Sequence, residues 1–532
     1  MKKLWRSGEP LVWLTGAALA LTLLMVVGVV AIILVNALGF FYPAAVVRLR
    51  LADDTAIAGR IAQREPVHGS DGAYRLKLQT GNRDLSGADF VWVDEAKIVD
   101  RAYPPDIAVI ERAEWGLLIG SLTQVRVNGA PVATGAAVPA ELARRMPEIE
   151  RRRAAIRRLE SRDIGSINGL QERTRLALRA LELRGVTSGP EVEALRAEAA
   201  ALQARYAEQE TRLQELRRSS TETLVVAAVG GKEKELPLTQ LLHVSFPNAM
   251  GPIAKARHYA VKLWEFLASD PRESNTEGGV FPALFGTVMM VLLMSVLVTP
   301  LGVLAAFYLR EYARQGPFVS VVRIAVNNLA GVPSIVFGVF GVGFFVYAVG
   351  GTIDRIFFPA ALPTPTFGTG GILWASLTLA LLTIPVVIVA TEEGLAAIPG
   401  GMREASLALG ATKLETTLRV VLPAVMPSVL TGLILAMARA AGEVAPLMIT
   451  GVVKLAPTLP VDGVWPFVHL ERKFMHLGFH IYDVGFQSPN VDAARPMVFA
   501  TALLLLTIVV LMNIFAITLR NRLRRRYAAA AV

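Results

Sequence analysis

Long apolar stretches alternate with polar segments along this chain, and six of the stretches have the length of a membrane span. A helix needs about 20 predominantly apolar residues to cross a bilayer core. The six predicted spans are Leu11–Tyr42, Phe281–Leu309, Ala325–Gly350, Gly371–Thr391, Ala424–Thr450 and Met497–Leu519. The pattern therefore predicts a mostly α, polytopic α-helical membrane protein.

The first apolar stretch follows Lys2, Lys3 and Arg6, as the apolar region of a signal peptide does. It is longer than such a region, and no convincing small-residue cleavage site follows it. We therefore expect a retained membrane anchor. The predicted division of the chain is 1–42 for the N-terminal end and first span, 43–279 for an extracytoplasmic α+β insertion, and 280–532 for a five-span core.

The insertion combines two kinds of sequence pattern. Residues 45–138 and 223–246 hold short alternations such as Tyr74–Leu78, separated by turn residues, which predict antiparallel strands. We expect both regions to form one sheet, with segment 139–218 inserted into it as a helical hairpin.

The hairpin segment 139–218 breaks most clearly at Gly185–Pro190. Three- and four-residue steps after the break predict a coiled-coil seam. The seam positions are Val192, Leu195, Ala199, Leu202, Tyr206, Gln209, Leu213 and Leu216. Leu142, Met146, Ile149 and Ile156 follow similar steps, and we expect Pro147 to lie where their main helix starts. A docking arm for a partner and a solvated spacer both fit this pattern.

Lysine and arginine predict the orientation, because cytoplasmic segments are enriched in them. With the N-terminus inside, the predicted cytoplasmic basic residues are Lys2, Lys3, Arg6, Arg310, Arg314, Arg323, Arg403, Lys413, Arg419, Arg520, Arg522, Arg524, Arg525 and Arg526. The last outer loop carries Lys454, Arg472, Lys473 and Arg495, so the bias is incomplete. We expect both termini to be cytoplasmic and the insertion to be periplasmic.

Composition excludes several classes of function. The 532 residues are 53% hydrophobic and 18% charged, and basic cytoplasmic ends explain the net charge of +10 without a nucleic-acid partner. There is no cysteine, which excludes disulfides, thiolate metal sites and cysteine nucleophiles. No P-loop motif is present. His476 and His480 lie four apart, but a metal would need a further ligand, so we expect none.

The loop 392–423 between the fourth and fifth spans carries a spaced motif. Glu404, Ala405 and Ser406 are followed by Gly410, four residues after Ser406, and Leu422 and Pro423 end the segment. Glycine suits a tight turn between two short helices. Leu407, Leu409 and Leu414 would fill a groove on a partner. An ordinary amphipathic loop helix is the alternative interpretation.

Two sites within the spans carry candidate substrate residues. Arg439 and Glu443 are charged residues of the fifth span, and intramembrane charges usually serve function. The guanidinium fork suits phosphate or carboxylate oxygens, although a structural pair or an arginine reaching the surface also fits. In the third span, Gly331, Pro333 and Ser334 break an apolar run, as in transporter helices that bind ions, or as a simple kink. Asn327 and Asn328 precede the break and offer amide donors.

These motifs together resemble the PstA-type permease of the phosphate ABC importer. The loop pattern resembles the EAA loop, with Ser406 in place of alanine and Val420 in place of isoleucine as departures. The matching blocks are PRESNTEGGVFPALFGT (271–287), NNLAGVPSIVFG (327–338), REASLALGATKLETTLRVVLP (403–423), ARAAGEVAPLM (438–448) and KFMHLGFHIYDVGFQSPN (473–490). The resemblance implies the type I ABC-importer permease fold, phosphate passage at Arg439 and Glu443, and ATPase contact at Glu404 and Gly410.

The resemblance also implies the partners. They are a PstC-type permease, a PstB-type ATPase dimer using ATP and Mg, a PstS-type periplasmic phosphate-binding protein, inorganic phosphate and membrane lipid. The chain itself would be non-catalytic and bind no cofactor. A permease for another oxyanion or small solute, and a transport-inactive membrane scaffold or sensor, are the alternatives.

Overall fold

A computed structural model of the protein describes residues 9–67, 72–272, 275–488 and 490–528. Within them, six helices are long and apolar enough to cross a membrane, which confirms the six predicted spans. Spans one to six are Val12–Phe40, Phe281–Tyr312, Ser334–Phe357, Ile372–Ala397, Lys413–Gly442 and Val491–Arg522. Lys2, Lys3 and Arg6, on which the predicted orientation partly depends, lie outside the described residues, as do parts of the 271–287 and 473–490 blocks.

The helices account for most of the chain. They are α1 (Glu9–Phe40), α2 (Arg83–Ser86), α3 (Val138–Arg158), α4 (Gly165–Leu183), α5 (Pro190–Arg218), α6 (Pro252–Ala268), α7 (Phe281–Phe307), α8 (Pro317–Leu329), α9 (Ser334–Phe340), α10 (Gly351–Phe357), α11 (Ile372–Ala397), α12 (Gly400–Ala408), α13 (Lys413–Thr416), α14 (Leu422–Gly442), α15 (Ala445–Thr450), α16 (Leu477–Tyr482) and α17 (Val491–Ala528). Wider π-helical turns extend several of them, at Leu159–Ile164, Tyr308–Tyr312, Gly341–Gly350, Thr417–Val421 and Asp483–Gln487.

All strands among the described residues lie in the insertion. They are β1 (Val46–Leu51), β2 (Ala56–Pro66), β3 (Tyr74–Gln79), β4 (Phe90–Asp94), β5 (Ile98–Ala102), β6 (Ile107–Arg112), β7 (Leu117–Val127), β8 (Ala130–Thr134), β9 (Glu222–Ala228), β10 (Glu233–Pro237), β11 (Leu241–Ser245), β12 (Pro271–Arg272) and β13 (Glu277–Gly278) among the described residues. The longer strands pair antiparallel, as predicted.

The strands divide into two main sheets, not one. A six-stranded sheet has the order β10-β9-β7-β6-β11, with β8 beside β7. Val125 of β7 pairs with Leu224 of β9, so strands from before and after the hairpin do share this sheet. However, β1 to β5 form a separate five-stranded sheet. Its order is β4-β3-β2-β1-β5, because β5 pairs with β1 at the edge of that sheet.

The hairpin is confirmed in its second half and corrected in its first. Val192, Leu202 and Leu213 of α5 are buried, and several of the other predicted seam positions are half-buried. In α3, by contrast, Leu142 and Ile149 belong to the hydrophobic core of the six-stranded sheet. The helix starts at Val138 and runs through Pro147, so the prediction that Pro147 marks a helix start is wrong. Packing on the sheet holds this helix together despite the proline.

Span four is the centre of the membrane-embedded part. Its α11 packs against α7 and α14, and it supplies Ile372, Leu379 and Leu382 to the largest hydrophobic cluster. Small residues allow the close approach. A Cβ at Gly432 of α14 would lie 2.7 Å from Ala390 Cβ, and one at Gly302 of α7 would lie 2.7 Å from a methyl of Val387.

The span ends define two faces of the molecule. Phe41, Phe266 and Val280 meet in one cluster, so the insertion leaves from and returns to the same side, which we call the insertion face. The loop 392–423 lies at the other end of spans four and five, on what we call the loop face. The bounds 43–279 of the insertion and its periplasmic location stay predictions.

Candidate functional site

Two of the membrane helices are interrupted within the apolar interior. The apolar run predicted as span Ala325–Gly350 is two helices: α8 ends at Leu329, and α9 starts at Ser334 after a turn. The run predicted as one span to Thr450 is also divided, because α14 ends at Gly442 and α15 starts at Ala445. The first interruption was predicted from its glycine and proline, and the second was not.

Both interruptions pack against the same cluster around span four. Leu329 and Val332 join this cluster from the first interruption. Ala440, Ala441 and Leu447 join it from the second. A Cβ at Gly338 of α9 would lie 2.7 Å from Pro446 Cα of α15, so the two broken segments also contact each other. Broken helices that meet in the interior are where transporters place polar ligands.

Arg439 lies in the last turn of α14, and Glu443 is the first residue of the second interruption. Glu443 has the extended backbone of a residue beyond the helix end, with φ −76° and ψ 137°. The prediction that it shares a face of a continuous helix with Arg439 is therefore corrected. The two side chains still form an ion pair, because Arg439 Nε lies 3.4 Å from Glu443 Oε1.

The Arg439 side chain is anchored at one nitrogen only. Its side chain is 33% exposed and that of Glu443 is 19% exposed, so both retain access to space outside the helix packing. Among the described residues, no hydrogen bond reaches the two terminal nitrogens of this guanidinium. Those terminal nitrogens are the two parallel donors that bind an oxyanion bidentately.

A second arginine–glutamate pair, between the short helix α8 and span four, differs from this one. Arg323 of α8 donates to Glu392 Oε1 through Nε at 3.2 Å and through a terminal nitrogen at 3.1 Å. Both helices are continuous at these residues. The pair joins α8 to α11, and it fits a structural role. Sequence reasoning did not predict it.

The residues of the first interruption have their polar groups exposed. Asn327, Asn328, Gly331 and Pro333 lie at or near the surface, and Ser334 stands at the start of α9. No side-chain hydrogen bond joins the two asparagines or Ser334 to another residue in the described parts of the chain. The first interruption thus reaches the same hydrophobic cluster as the second. Among the described residues, no hydrogen bond joins its polar side chains to Arg439.

The loop on the opposite face has the two short helices that were predicted. They are α12 and α13, and Gly410 between them has φ +88°, in the left-handed region that favours glycine. Leu409 and Leu414 are 89% and 60% exposed, and Leu407, Glu404 and Ala405 are exposed with them. An apolar pair on a rigid turn suits insertion into a groove.

Local hydrogen bonds fix the shape of this loop. Thr412 and Glu415 form a reciprocal capping box at the start of α13. Ser406 Oγ lies 2.9 Å from Thr416 Oγ1, which ties α12 to α13. Leu422 packs with Val421 and Val425 at the base of α14, and Pro423 lies in the first turn of that helix. The Thr-x-x-Glu spacing was a readable signal for this cap.

Arg403 connects this loop to two spans, a role that the sequence did not indicate. Its guanidinium donates to Glu311 Oε1 at 2.9 Å, next to the end of span two. It also donates to the carbonyls of Leu395 at 2.9 Å and Ile398 at 3.0 Å, at the end of span four. Displacement of α12 would therefore pull on both spans.

We expect Arg403→Lys to reduce coupling between the loop and the spans. Lysine keeps the charge but has no planar fork, so it cannot hold all three acceptors at once. Each lost charge-assisted hydrogen bond is worth about 1.5–3 kcal/mol, so uptake per ATP hydrolysed should fall several-fold. Lys413→Arg, on the exposed side of the same loop, is the control. Unchanged coupling with Arg403→Lys would contradict this role.

Three of the four basic residues predicted for the last outer loop pair with acidic side chains. Lys454 pairs with Asp483 at 3.2 Å, Arg472 pairs with Asp462 at 2.5 Å, and Arg495 pairs with Asp492 at 3.4 Å. This pairing explains why basic residues occur here against the predicted bias. It also makes them poor indicators of orientation.

The histidines of this connection are buried. Nδ1 of His476 accepts a hydrogen bond from Gly478 N and caps α16. Burial lowers the pKa of His476 to about 3 and that of His480 to about 4, so both are neutral near pH 7. In the parts of the chain that the structure covers, the grouping with metal-ligand spacing is Glu111, His243 and Glu265. Lys262 donates to both of its carboxylates, at 2.6 and 2.8 Å, which offsets part of their charge.

The match to a known protein family lies in the membrane-spanning part of the chain. Residues 298–526 match the family of binding-protein-dependent transport system inner membrane components. The phosphate transport system permease protein PstA of Yersinia pestis is 32% identical over 251 residues, 47% of this chain and 75% of that protein. PstA of Mycobacterium leprae is 38% identical over 194 residues, 36% of this chain and 58% of that protein. The chain thus spans little more than half the length of some of these relatives.

Two solved structures match about half of the chain. One is the MetNI methionine ABC transporter in inward-facing conformations, at 20% identity and a TM-score of 0.33, covering 46% of this chain and 94% of that one. The other is a bacterial ABC transporter involved in alginate import, at 12% identity and a TM-score of 0.34, covering 50% of this chain and 89% of that one.

Proposed function

Because this chain belongs to the family of PstA-type phosphate transport permeases, and is a multi-pass inner-membrane protein, we propose that it imports inorganic phosphate. In this proposal it is one of two permease subunits of an ATP-driven importer. A PstC-type permease completes the pathway, and a PstS-type protein delivers phosphate on the insertion face. A PstB-type ATPase dimer, which uses ATP and Mg, docks on the loop face.

The observation that carries this proposal is the guanidinium of Arg439, which lies at a helix interruption and is hydrogen-bonded through Nε alone among the described residues. Phosphate near neutral pH carries between one and two negative charges and needs charge-assisted donors in a site with little water. Glu443 holds the guanidinium through Nε and offsets its charge when no anion is bound. The two terminal nitrogens remain for the anion.

The two interruptions form the pathway in this proposal. Arg439 precedes the cluster residue Ala440, and Asn327 and Asn328 precede Leu329, which packs on the same cluster. The backbone N–H groups of the first turn of α9, at Ser334 and Ile335, add to this polar lining. We propose that phosphate passes between these two interruptions as spans move against each other.

Movement of the loop supplies the coupling in this proposal. Leu407, Leu409 and Leu414 enter a groove on the ATPase, while Glu404, Ala405, Ser406 and Gly410 hold their helix–turn–helix shape. Arg403 carries displacement to spans two and four. Leu422 and Pro423 form the stiff base through which α14, and with it Arg439, shifts.

Reconstituted uptake is the experiment that tests this function. The chain is purified with its three kinds of partner, placed in proteoliposomes, and supplied with labelled phosphate and the binding protein. We expect ATP-dependent uptake that sulfate and molybdate fail to compete. Competition by either anion would favour another oxyanion permease, and absence of substrate-stimulated ATPase activity would favour a transport-inactive scaffold or sensor.

We also propose that the helical hairpin helps to receive the binding protein. Its α4 packs on the short turn Pro359–Ala361 between spans three and four. A terminal nitrogen of Arg173 donates to Trp465 O at 2.6 Å, in the connection between spans five and six. The arm therefore lies against the connections that a protein delivering a solute must approach.

Removing the free part of the arm should weaken delivery and spare assembly. Leu142 and Ile149 belong to the sheet core, so a deletion must leave α3 intact. Side-chain atoms of Glu160 and Arg217 lie 2.6 Å apart, so a short Gly/Ser linker can replace Ser161–Gln214 between them. We expect a complex that assembles normally but needs several-fold more binding protein for half-maximal uptake.

The matched variant Arg173→Ala keeps the arm and removes its contact with Trp465. An intermediate requirement for binding protein is expected there. Unchanged uptake after the deletion would make the arm a spacer. Failure to insert or assemble would contradict both interpretations.

A further inference from the structure

Helix α6 exposes large apolar side chains on one side. It connects β11 of the insertion to span two and spans Pro252–Ala268. Ile253 is 87% exposed and Trp264 is 69% exposed, and Val261 and Leu263 are also exposed. Leaving these apolar side chains in water costs about 25 cal/mol for each Å² of exposed apolar surface.

The helix runs across the end of span one. The ring of Phe266 lies 5.3 Å from that of Phe41, and Lys255 Nζ lies 5.7 Å from the centre of the Tyr42 ring. These two positions of α6 are separated by about 16 Å along a helix axis. Since they meet consecutive residues just beyond span one, the axis lies across the span and does not continue it.

The C-terminal end of α6 is at the level where span two begins. Val280 N donates to Phe266 O at 2.8 Å, and Phe281 N donates to Ser269 O at 3.2 Å. Span one, whose exposed residues form an apolar surface, ends at the same level. The C-terminal end of α6 therefore lies at the level where spans one and two meet the insertion face.

Two charged residues of α6 point toward the sheet. Lys262 bonds Glu111 of the sheet at 2.6 Å, and Glu265 bonds His243 of the sheet. At about 100° for each residue, an arc of about 100° on the far side contains no charge. The residues of that arc are Ile253, Ala256, Ala260, Leu263, Trp264 and Leu267. Arg257 borders the arc and is exposed.

We propose that α6 lies in the headgroup–acyl boundary of the leaflet on the insertion face, with a phospholipid bilayer as its partner. Trp264 and Ile253 enter the acyl boundary, and Arg257 meets headgroup phosphates. An interfacial helix of this kind buries its apolar face about 5–10 Å deep. Because Lys262 and Glu265 also bind the sheet, the helix fixes how the insertion stands on the membrane. This inference requires only that span one crosses the bilayer, and not that phosphate is the substrate.

Depth-dependent quenching tests this placement, and the natural absence of cysteine makes single-cysteine variants direct. Ile253→Cys and Trp264→Cys of the full chain are labelled with an environment-sensitive fluorophore. The labelled proteins are reconstituted in vesicles of phosphatidylethanolamine and phosphatidylglycerol. Lipids carrying a spin label near the headgroup, or near the end of the acyl chain, serve as quenchers.

Two exposed valines supply the controls. Val26, 55% exposed in span one, is the deep control, and Val99, 61% exposed on β5, is the aqueous control. We expect the shallow quencher to act on positions 253 and 264 at least about twofold more than on position 99, and the deep quencher to act most on position 26.

Either of two results would overturn the proposal. One is quenching at positions 253 and 264 no stronger than at position 99. The other is shallow quenching that disappears when the partner permease is present, with crosslinks from position 264 to that subunit, which would make the face a protein interface. Two independent positions guard against one substitution that fails to fold.

Discussion

Arg439→Lys should lower phosphate uptake by about ten- to hundredfold, and Arg439→Gln should abolish it. Lysine keeps the positive charge but loses the two parallel donors, and a charge-assisted hydrogen bond is worth about 1.5–3 kcal/mol. Glutamine also removes the charge that offsets the anion in an interior of low polarity. Initial rates of labelled phosphate uptake in proteoliposomes measure both effects.

The pair of Arg323 and Glu392 is the matched control. The Arg323 side chain has the same exposed fraction as that of Arg439, 33%, and it also pairs with a glutamate. Its Nε and a terminal nitrogen already bind Glu392, so it has less capacity for an anion. Arg323→Lys should lower stability slightly and leave the phosphate concentration for half-maximal uptake unchanged. Equal effects of the two lysine variants would make Arg439 a structural residue.

Gly410→Val should release the ATPase from the complex. At φ +88° a side chain with a branched Cβ is strained, although a Cβ at this position would have no atom within 4 Å. The strain is about 1–3 kcal/mol and acts on the turn that presents Leu407, Leu409 and Leu414. Co-purification of the ATPase and phosphate-stimulated ATP hydrolysis should both fall about tenfold.

Two variants separate backbone strain from loss of a small residue. Gly401 lies in α12 without a positive φ, and a Cβ there would also meet open space, so Gly401→Val should retain the ATPase. Asparagine tolerates left-handed backbone better than valine, so Gly410→Asn should restore much of the association. Normal co-purification and uptake with Gly410→Val would show that the turn is not part of the coupling.

Local features of the sequence were enough for the spans and the loop. Six spans follow from the length of apolar stretches, because the bilayer requires about 20 such residues regardless of neighbours. The turn at Gly410 and the interruption at Pro333 follow equally from single residues, since proline and glycine act on their own backbone. The coiled-coil seam of α5 likewise follows from its own spacing.

Only the tertiary structure decided which segments meet, because pairing across long separations leaves no local pattern. Strands β1 to β5 have the same alternation as β6 to β11, so their division into two sheets could not be predicted. Pro147 lies within a helix because Leu142 and Ile149 pack on the sheet beneath it. Gly442 and Pro446 flank the interruption at Glu443, but its position against α9 depends on α15 packing at Gly338. The contacts of Arg403, Arg173 and Lys255 likewise exist only because distant elements fold together around span four and the end of span one.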